Sequence, residues 1–364
     1  MALRGFSKKI DLSLLFPALF LSVMGLLSVY SSSVVRGDFF DFKKQILFLA
    51  VALIALFLIN LFDFKIFKAN SHLVLVVYFF SLLLLLGVLI FGIEIRGIKG
   101  WYRIGPLAFD PVPLAGLSLI VVLAKYFSFR HIELSSLKPI LLSAVYLILP
   151  LFFIFLQPDV GSSLSLIAVW FGIVVFSGIK LKHFFILCLV FILLFAFSWL
   201  FLFQDYQKER IASFFNPEID ARGVSWSLNQ SKIAIGSAGF FGKGLGQGSQ
   251  TQYGFLSEPK TDFIFSALTE EFGLLAGFLL LLCLFLLLWR VLTIAFLSDN
   301  NFCRLFASGF AVLVLAQSFI NIGMCLGLFP VVGIPLPFVS YGGSHLLAFY
   351  IGLGLLMNLK PVKT

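Results

Sequence analysis

The sequence predicts an all-α integral membrane fold of about ten transmembrane helices, and three observations predict it. Of 364 residues, 60% are hydrophobic and 12% are charged, against about 45–50% and about 25% in soluble domains. The apolar residues fall in runs close to the ~20 residues that cross about 30 Å of hydrocarbon. The ~10-residue alternating segments of a membrane β-barrel are absent, so the spans must be helices that satisfy their own backbone polar groups. The 47 Phe residues suit lipid-facing helix surfaces.

The runs place helices at 12–32, 45–62, 72–93, 111–127, 139–157, 162–178, 183–203, 263–291, 305–328 and 344–359. The first run follows Arg4, Lys8 and Lys9 and imitates a signal peptide; the many later spans make it an uncleaved first helix. Residues 1–364 read as one polytopic domain without internal repeats, interrupted between the seventh and eighth helices by a polar segment, 204–262. With the N-terminus inside, fourteen Lys and Arg fall on the inner face. The short outer loops hold six: Arg36, Lys43, Lys44, Arg96, Lys99 and Arg103. The long segment is left out of the count because long loops translocate regardless of charge. Both termini are therefore expected in the cytoplasm. The Gly-, Pro- and polar-rich stretches 97–113, 157–163, 204–262 and 330–344 then lie outside. The net charge of +9 is scattered over loops and forms no nucleic-acid patch; topology and anionic lipid headgroups account for it. Cys188, Cys283, Cys303 and Cys325 lack metal-ligand spacing and read as small apolar fillers.

The candidate chemistry lies in the outer stretches. Asp262 stands where the long polar segment enters the eighth helix. A carboxylate at such an edge is desolvated toward a raised pKa, which suits a general base; equally, Asp262, with Thr261 beside it, suits an N-cap. Glu270 and Glu271 lie two turns deeper, where charge is costly and is either functional or paired. Residues 231–241 suit a short helix on the membrane surface. The five glycines from Gly239 to Gly248 form either a flexible loop or a backbone cradle for a ligand, without the spacing of a P-loop. Lys232, Lys243 and Lys260 are candidate phosphate cations. Asp159 suits either a cap of the sixth helix or a second outer carboxylate. The run Gly327–Ser344, with three prolines, cannot be a regular helix and implies a re-entrant element lining a polar cleft. His345 stands at its end as a structural or titrating histidine.

These pieces together resemble the SEDS family (shape, elongation, division and sporulation proteins) and, within it, the elongation branch, RodA. The matching segments are Trp101-Tyr-Arg-Ile-Gly105, Gln157-Pro-Asp-Val-Gly161, Asn229-Gln-Ser-Lys-Ile-Ala-Ile-Gly-Ser237, Gly242-Lys-Gly244, Thr261-Asp-Phe-Ile-Phe265, Glu270-Glu271 with Gly273, and Gly333-Ile-Pro-Leu-Pro-Phe-Val-Ser-Tyr-Gly-Gly-Ser344. They run in family order across nearly the whole chain. Gln250-Thr-Gln252 and Asn321-Ile-Gly-Met324 are closer to the elongation branch than to the division one.

The resemblance implies a peptidoglycan glycosyltransferase of the bacterial cytoplasmic membrane. Such an enzyme polymerises lipid II outside the membrane for elongation and shape, beside a class B penicillin-binding protein that crosslinks the strands. It implies Asp262 as the catalytic residue, with Trp101, Arg103, Asp159, Arg210, Lys232, Lys243, Lys260, Glu270, Glu271 and Ser340 as candidate substrate-binding residues. The leaving undecaprenyl pyrophosphate needs cationic stabilisation, so a divalent cation such as Mg²⁺ or Mn²⁺ is a candidate cofactor. The chain departs from the family at Asp110-Pro-Val-Pro113 and Gly116, where relatives carry Gln-Pro-Ser-Glu and then Lys. A flippase of the same lipid and a weakened scaffold for the penicillin-binding protein are the alternatives. Polar residues concentrated on the outer face, with short plain inner loops, favour the enzyme over the flippase.

Overall fold

The computed structural model describes residues 10–61, 65–95, 97–130, 137–201, 203, 205–216 and 224–359. In chain order it contains α1 (Leu12–Arg36), α2 (Phe40–Leu61), the short α3 (Lys65–Ala69) and α4 (Ser71–Phe91). Strands β1 (Ile93–Ile95), β2 (Ile98–Ile104) and β3 (Leu107–Phe109) follow. Then come α5 (Val112–Arg130), α6 (Lys138–Leu156), α7 (Val160–Phe176), α8 (Leu181–Phe201), α9 (Asp205–Phe215), α10 (Val224–Gly236) and α11 (Ser249–Gln252). The chain closes with α12 (Ile264–Leu297), α13 (Asn301–Cys325) and α14 (Gly343–Leu359). Among the described residues eight helices are long and apolar enough to cross a membrane, and α7 and α14 are shorter apolar helices in the same bundle. These ten match the ten expected spans, with ends moved by a few residues.

Two local expectations change. The stretch 97–113 includes part of a small antiparallel sheet in the order β1-β2-β3. Its Ile, Trp and Tyr side chains favour strands, and Gly97 and Gly105 supply positive φ at the turns. Tyr102 Oη donates to Leu84 O at 2.7 Å, which pins the sheet to α4. The short helix expected at 231–241 is α10, which starts earlier and stops at Gly236.

α2 packs on α14, α12 on α1 and α13, and α13 on α5 and α7. Small residues allow the close approaches: a methyl group on Gly309 would meet Ile173 and Ile120, and one on Gly352 would meet Phe310. α8 stands apart, with only His183 and Leu187 buried along it. At one end of the bundle Arg290 Nη2 of α12 pairs with Asp11 Oδ2 at 2.7 Å. The opposite end gathers the sheet, the 157–163 turn, α10, the glycine-rich loop and the Pro-Gly run.

α12 has 34 residues, roughly 51 Å at ~1.5 Å per residue, and it is broken at Gly273, where φ is 86° and ψ is 174°. The break orphans the carbonyls of Glu270 and Glu271 and the N–H groups of Leu274 and Leu275, which a continuous helix would join to one another. The glycine-rich loop takes up all four. Lys243 N donates to Glu270 O (3.0 Å) and Gly244 N to Glu271 O (2.9 Å), while Leu274 N donates to Gly239 O (3.0 Å) and Leu275 N to Phe240 O (3.2 Å). A Cβ on Gly242 would strike Glu271 O, and one on Gly273 would strike Phe240 O. The glycines are therefore neither a free loop nor an open phosphate cradle; they let two backbones touch.

Gly273→Ala is expected to destabilise the protein by on the order of 1–3 kcal/mol, the cost of a side chain in that backbone region, before the clash with Phe240 O is counted. Gly236→Ala, where a methyl group would meet nothing within 4 Å, is the control expected to leave the melting temperature in detergent unchanged.

Candidate active site

Asp262 lies half-buried in the turn before α12. It is not the helix cap: that position is Phe263, with no side-chain cap bond. Thr261 does not cap either, since its Oγ1 is buried without a hydrogen-bond partner. Three neighbours fix the backbone through successive carbonyls. Tyr341 N donates to Lys260 O at 2.9 Å, Ser340 Oγ to Thr261 O at 2.7 Å, and Asn321 Nδ2 to Asp262 O at 2.9 Å. Asn321 Nδ2 also donates to Ile334 O at 2.7 Å, which ties the Pro-Gly run to the same point. Asp262 Oδ2 lies 3.7 Å from where a Cβ on Gly333 would sit. The carboxylate thus faces the irregular 330–342 stretch.

Two of the candidate lysines are paired with carboxylates. Lys243 Nζ is 2.8 Å from Glu270 Oε1, and Lys260 Nζ is 2.7 Å from Asp41 Oδ2. Lys232 is exposed on α10, its aliphatic stem against Gly327. It is unpaired among the described residues and sits beside Ser231, whose Oγ bonds Ser266 Oγ (2.6 Å) and Cys325 O (2.7 Å). Arg210 is exposed on α9, and Arg103 is exposed on β2 with Nε 3.4 Å from Gly105 O. Trp101 is half-buried in β2, paired with Ile93.

Glu270 and Glu271 are taken up by other partners than the Asp262 segment. Glu270, fully buried, accepts from Lys243 Nζ, Gln250 N (2.9 Å), Thr251 N (3.0 Å), Thr251 Oγ1 (2.8 Å) and Ser249 Oγ (3.3 Å). Glu271 accepts from Gln252 Nε2, which also donates to Ser31 Oγ of α1. Both carboxylates hold the glycine-rich loop and α11 against the break in α12. Ser340 is buried and serves the backbone of Leu336 and Thr261.

Asp159 caps α7 by accepting from Ser162 N at 3.0 Å, and burial pushes its carboxyl up. Asp110 accepts from Val112 N at 2.8 Å, and its own N–H bonds Ser344 Oγ at 2.8 Å. Burial pushes Asp110 up to about 7, with Asp159 adding to the rise against the opposing Val112 bond. Pro113 and Gly116, the positions of the absent Glu and Lys, line a small, partly open cavity beside Ser162, Ser165, Gln317 and His345. Gln317 Oε1 and His345 Nδ1 have no hydrogen-bond partner there, so His345 reads as a wall of that cavity. Among the described residues no group of three or more His, Cys, Asp and Glu could hold a metal ion, so the described side chains do not fit a resident metal centre.

Sequence reasoning missed Asp41, Ser31 and Thr251 as partners. Asn321 and Gln252 stood out in the sequence only as branch markers, and nothing local marked their contacts.

The family model for FtsW, RodA and SpoVE, described as cell cycle protein, matches residues 12–364. Stage V sporulation protein E of Bacillus subtilis (strain 168) is 36% identical over 359 residues, covering 96% of each chain. Peptidoglycan glycosyltransferase MrdB of Escherichia coli (strain K12) is 36% identical over 283 residues, 78% of this chain and 76% of that one. Among solved structures, a chain described under structural coordination of polymerization and crosslinking by a peptidoglycan synthase complex superposes with a TM-score of 0.82. It is 30% identical and covers 95% of this chain and 96% of its own length. The rod shape determining protein RodA of Thermus thermophilus gives 0.70 at 29% identity, covering 96% and 95%.

Glu270→Ala would strand Lys243 and two backbone N–H groups, and it is expected to cost about 3–5 kcal/mol as a broken buried pair, read as a lost thermal transition in detergent. Asp110→Asn tests the raised carboxyl. A raised folded pKa means the neutral form favours the fold; that stability is complete at low pH and is lost as pH rises toward and through about 7. Asn keeps the acceptor for Val112 N without the charge. The variant is expected to melt higher than wild type at pH 8 and alike at pH 4.

Proposed function

This chain belongs to the FtsW, RodA and SpoVE family of cell cycle proteins, and from that premise we propose that it is a peptidoglycan glycosyltransferase with Asp262 as general base. The observation that carries the reading is the grip on three successive carbonyls, 260 to 262, which holds one half-buried carboxylate against the Pro-Gly run without spending it as a helix cap. A general base must be held in fixed geometry and remain able to take a proton.

In the reaction, Asp262 takes the proton from the acceptor sugar hydroxyl as that oxygen bonds the donor's anomeric carbon. The bond from that carbon to the pyrophosphate oxygen breaks, and the electron pair leaves with undecaprenyl pyrophosphate. Lys232, exposed on α10, is the proposed cation for that charge, with Arg210 and Arg103 as further candidates; Lys243 and Lys260 already serve carboxylates. A divalent cation, Mg²⁺ or Mn²⁺, brought in with the pyrophosphate is a proposed additional source of charge.

We place this end of the bundle outside the cytoplasmic membrane, with both termini in the cytoplasm. The Lys and Arg asymmetry of the loops supports that orientation. The substrate is lipid II and the partner a class B penicillin-binding protein; the similarity to a chain of a peptidoglycan synthase complex supports the pairing. The role is cell elongation, supported by Gln250-Thr-Gln252 and Asn321, which occupy working positions around Glu270, Glu271 and Asp262.

The test is reconstitution with a class B penicillin-binding protein and lipid II. Wild type is expected to build glycan polymer, and Asp262→Ala to lose on the order of 100-fold or more, the usual worth of a general base. Full polymerisation by Asp262→Ala would remove the base assignment. Transfer of labelled lipid between leaflets with no polymer would make the protein a flippase instead.

A further inference from the structure

Asp41 belongs to no motif, yet it meets both the segment that leads into Asp262 and the Pro-Gly run that grips it. It begins α2, far from residue 262 in sequence. Its Oδ2 is 2.7 Å from Lys260 Nζ, and its Oδ1 accepts from Tyr341 Oη at 3.4 Å. Lys260 and Tyr341 are themselves joined, since Tyr341 N donates to Lys260 O at 2.9 Å. Ser340, next to Tyr341, takes hold of Thr261 O. One carboxylate therefore bridges the turn leading into Asp262 and the irregular segment laid over it. Gln45, one turn further along α2, accepts from Gly342 N at 3.2 Å and fastens the same Pro-Gly run.

The pair is only partly buried, with side chains 15% exposed at Lys260 and 39% exposed at Asp41. An ion pair so open contributes little to global stability. Its consequence is geometric, because misplacing a reacting group by about 1 Å can cost ~100-fold in rate. The alternative role for Lys260, a phosphate ligand, would leave its ammonium free, whereas Asp41 holds it.

We propose that Asp41 is a positioning residue for Asp262, acting through Lys260 and Tyr341, and that Lys260 is its counterion rather than a ligand of the substrate pyrophosphate. This rests on Asp262 being the general base. It predicts that Asp41 and Lys260 act as one unit.

The test measures polymerisation by the full chain with its class B penicillin-binding protein over a range of lipid II concentrations. Asp41→Asn and Lys260→Met are each expected to lower kcat about tenfold or more, with KM within about twofold of wild type and an unchanged melting temperature. The double variant is expected to lose no more than either single one, because paired residues are non-additive. Asp41→Glu is expected to recover most of the rate. Wild-type kcat in both single variants overturns the proposal. So does a raised KM in Lys260→Met with Asp41→Asn unaffected, which would return Lys260 to the substrate. Should Asp41→Asn fail to fold, Lys260→Met and Tyr341→Phe decide by the same split. Asp262→Ala, run in parallel, separates the two levels. If it polymerises, the base assignment fails; if it is inactive while Asp41→Asn matches wild type, only the positioning role fails.

Discussion

The break in α12 is the constraint from which the rest of this end of the molecule follows. Within hydrocarbon an unsatisfied backbone group costs several kcal/mol, and Gly273 releases two carbonyls and two N–H groups at once. The loop from Gly239 to Gly244 takes up all four. Having been drawn in, that loop needs an anchor of its own. Lys243 and the N–H groups of Gln250 and Thr251 converge on Glu270, and Gln252 converges on Glu271 and reaches Ser31 of α1. Two carboxylates deep in an apolar helix are thus accounted for by the break and by the loop that repairs it.

That accounting separates three acidic residues that look alike in a linear reading. Glu270 is fully buried and accepts from five donors, so little of its lone-pair capacity remains for a substrate. Glu271 is held by Gln252, whose amide also binds Ser31, and is closed off behind α11. Asp262 differs in kind: its main chain is immobilised, while its carboxylate lies half-buried at the edge of an irregular segment. A group that must accept a proton needs the second arrangement, and a group that must hold a loop needs the first.

The spans were legible because length and composition decide them: about twenty apolar residues in a row have few alternatives. Asp262 was legible as a position, at the seam between a polar segment and an apolar helix, but its use was not. The residues alone favour a cap, a role compatible with that of a base; the structure puts Phe263 at the cap position, with Asn321 and Ser340 at the neighbouring carbonyls. The small sheet was written in Ile93, Ile95, Ile98 and Trp101, yet it was overshadowed by the glycines and proline around it. The lysines were the least legible. Lys243 and Glu270 are 27 residues apart, and Lys260 and Asp41 are 219 apart. No periodicity links such pairs, so three lysines that looked equivalent in sequence divide into two that pair with carboxylates and Lys232.

The departure at Pro113 and Gly116 bears on whether such a site can work. A buried ion pair can be deleted whole at little cost, whereas removing one partner strands a charge. Here both family charges are absent together, and their place is a cavity walled by uncharged groups with Gln317 and His345 among them. None of the residues that grip the Asp262 segment, namely Asn321, Ser340, Tyr341 and Asp41, lines that cavity. The nearest link is Ser344, which bonds Asp110 N and lies beyond the gripping pair on the Pro-Gly run. The missing pair therefore changes the wall between α5, α7, α13 and α14 while leaving the geometry of the carboxylate to a separate set of bonds.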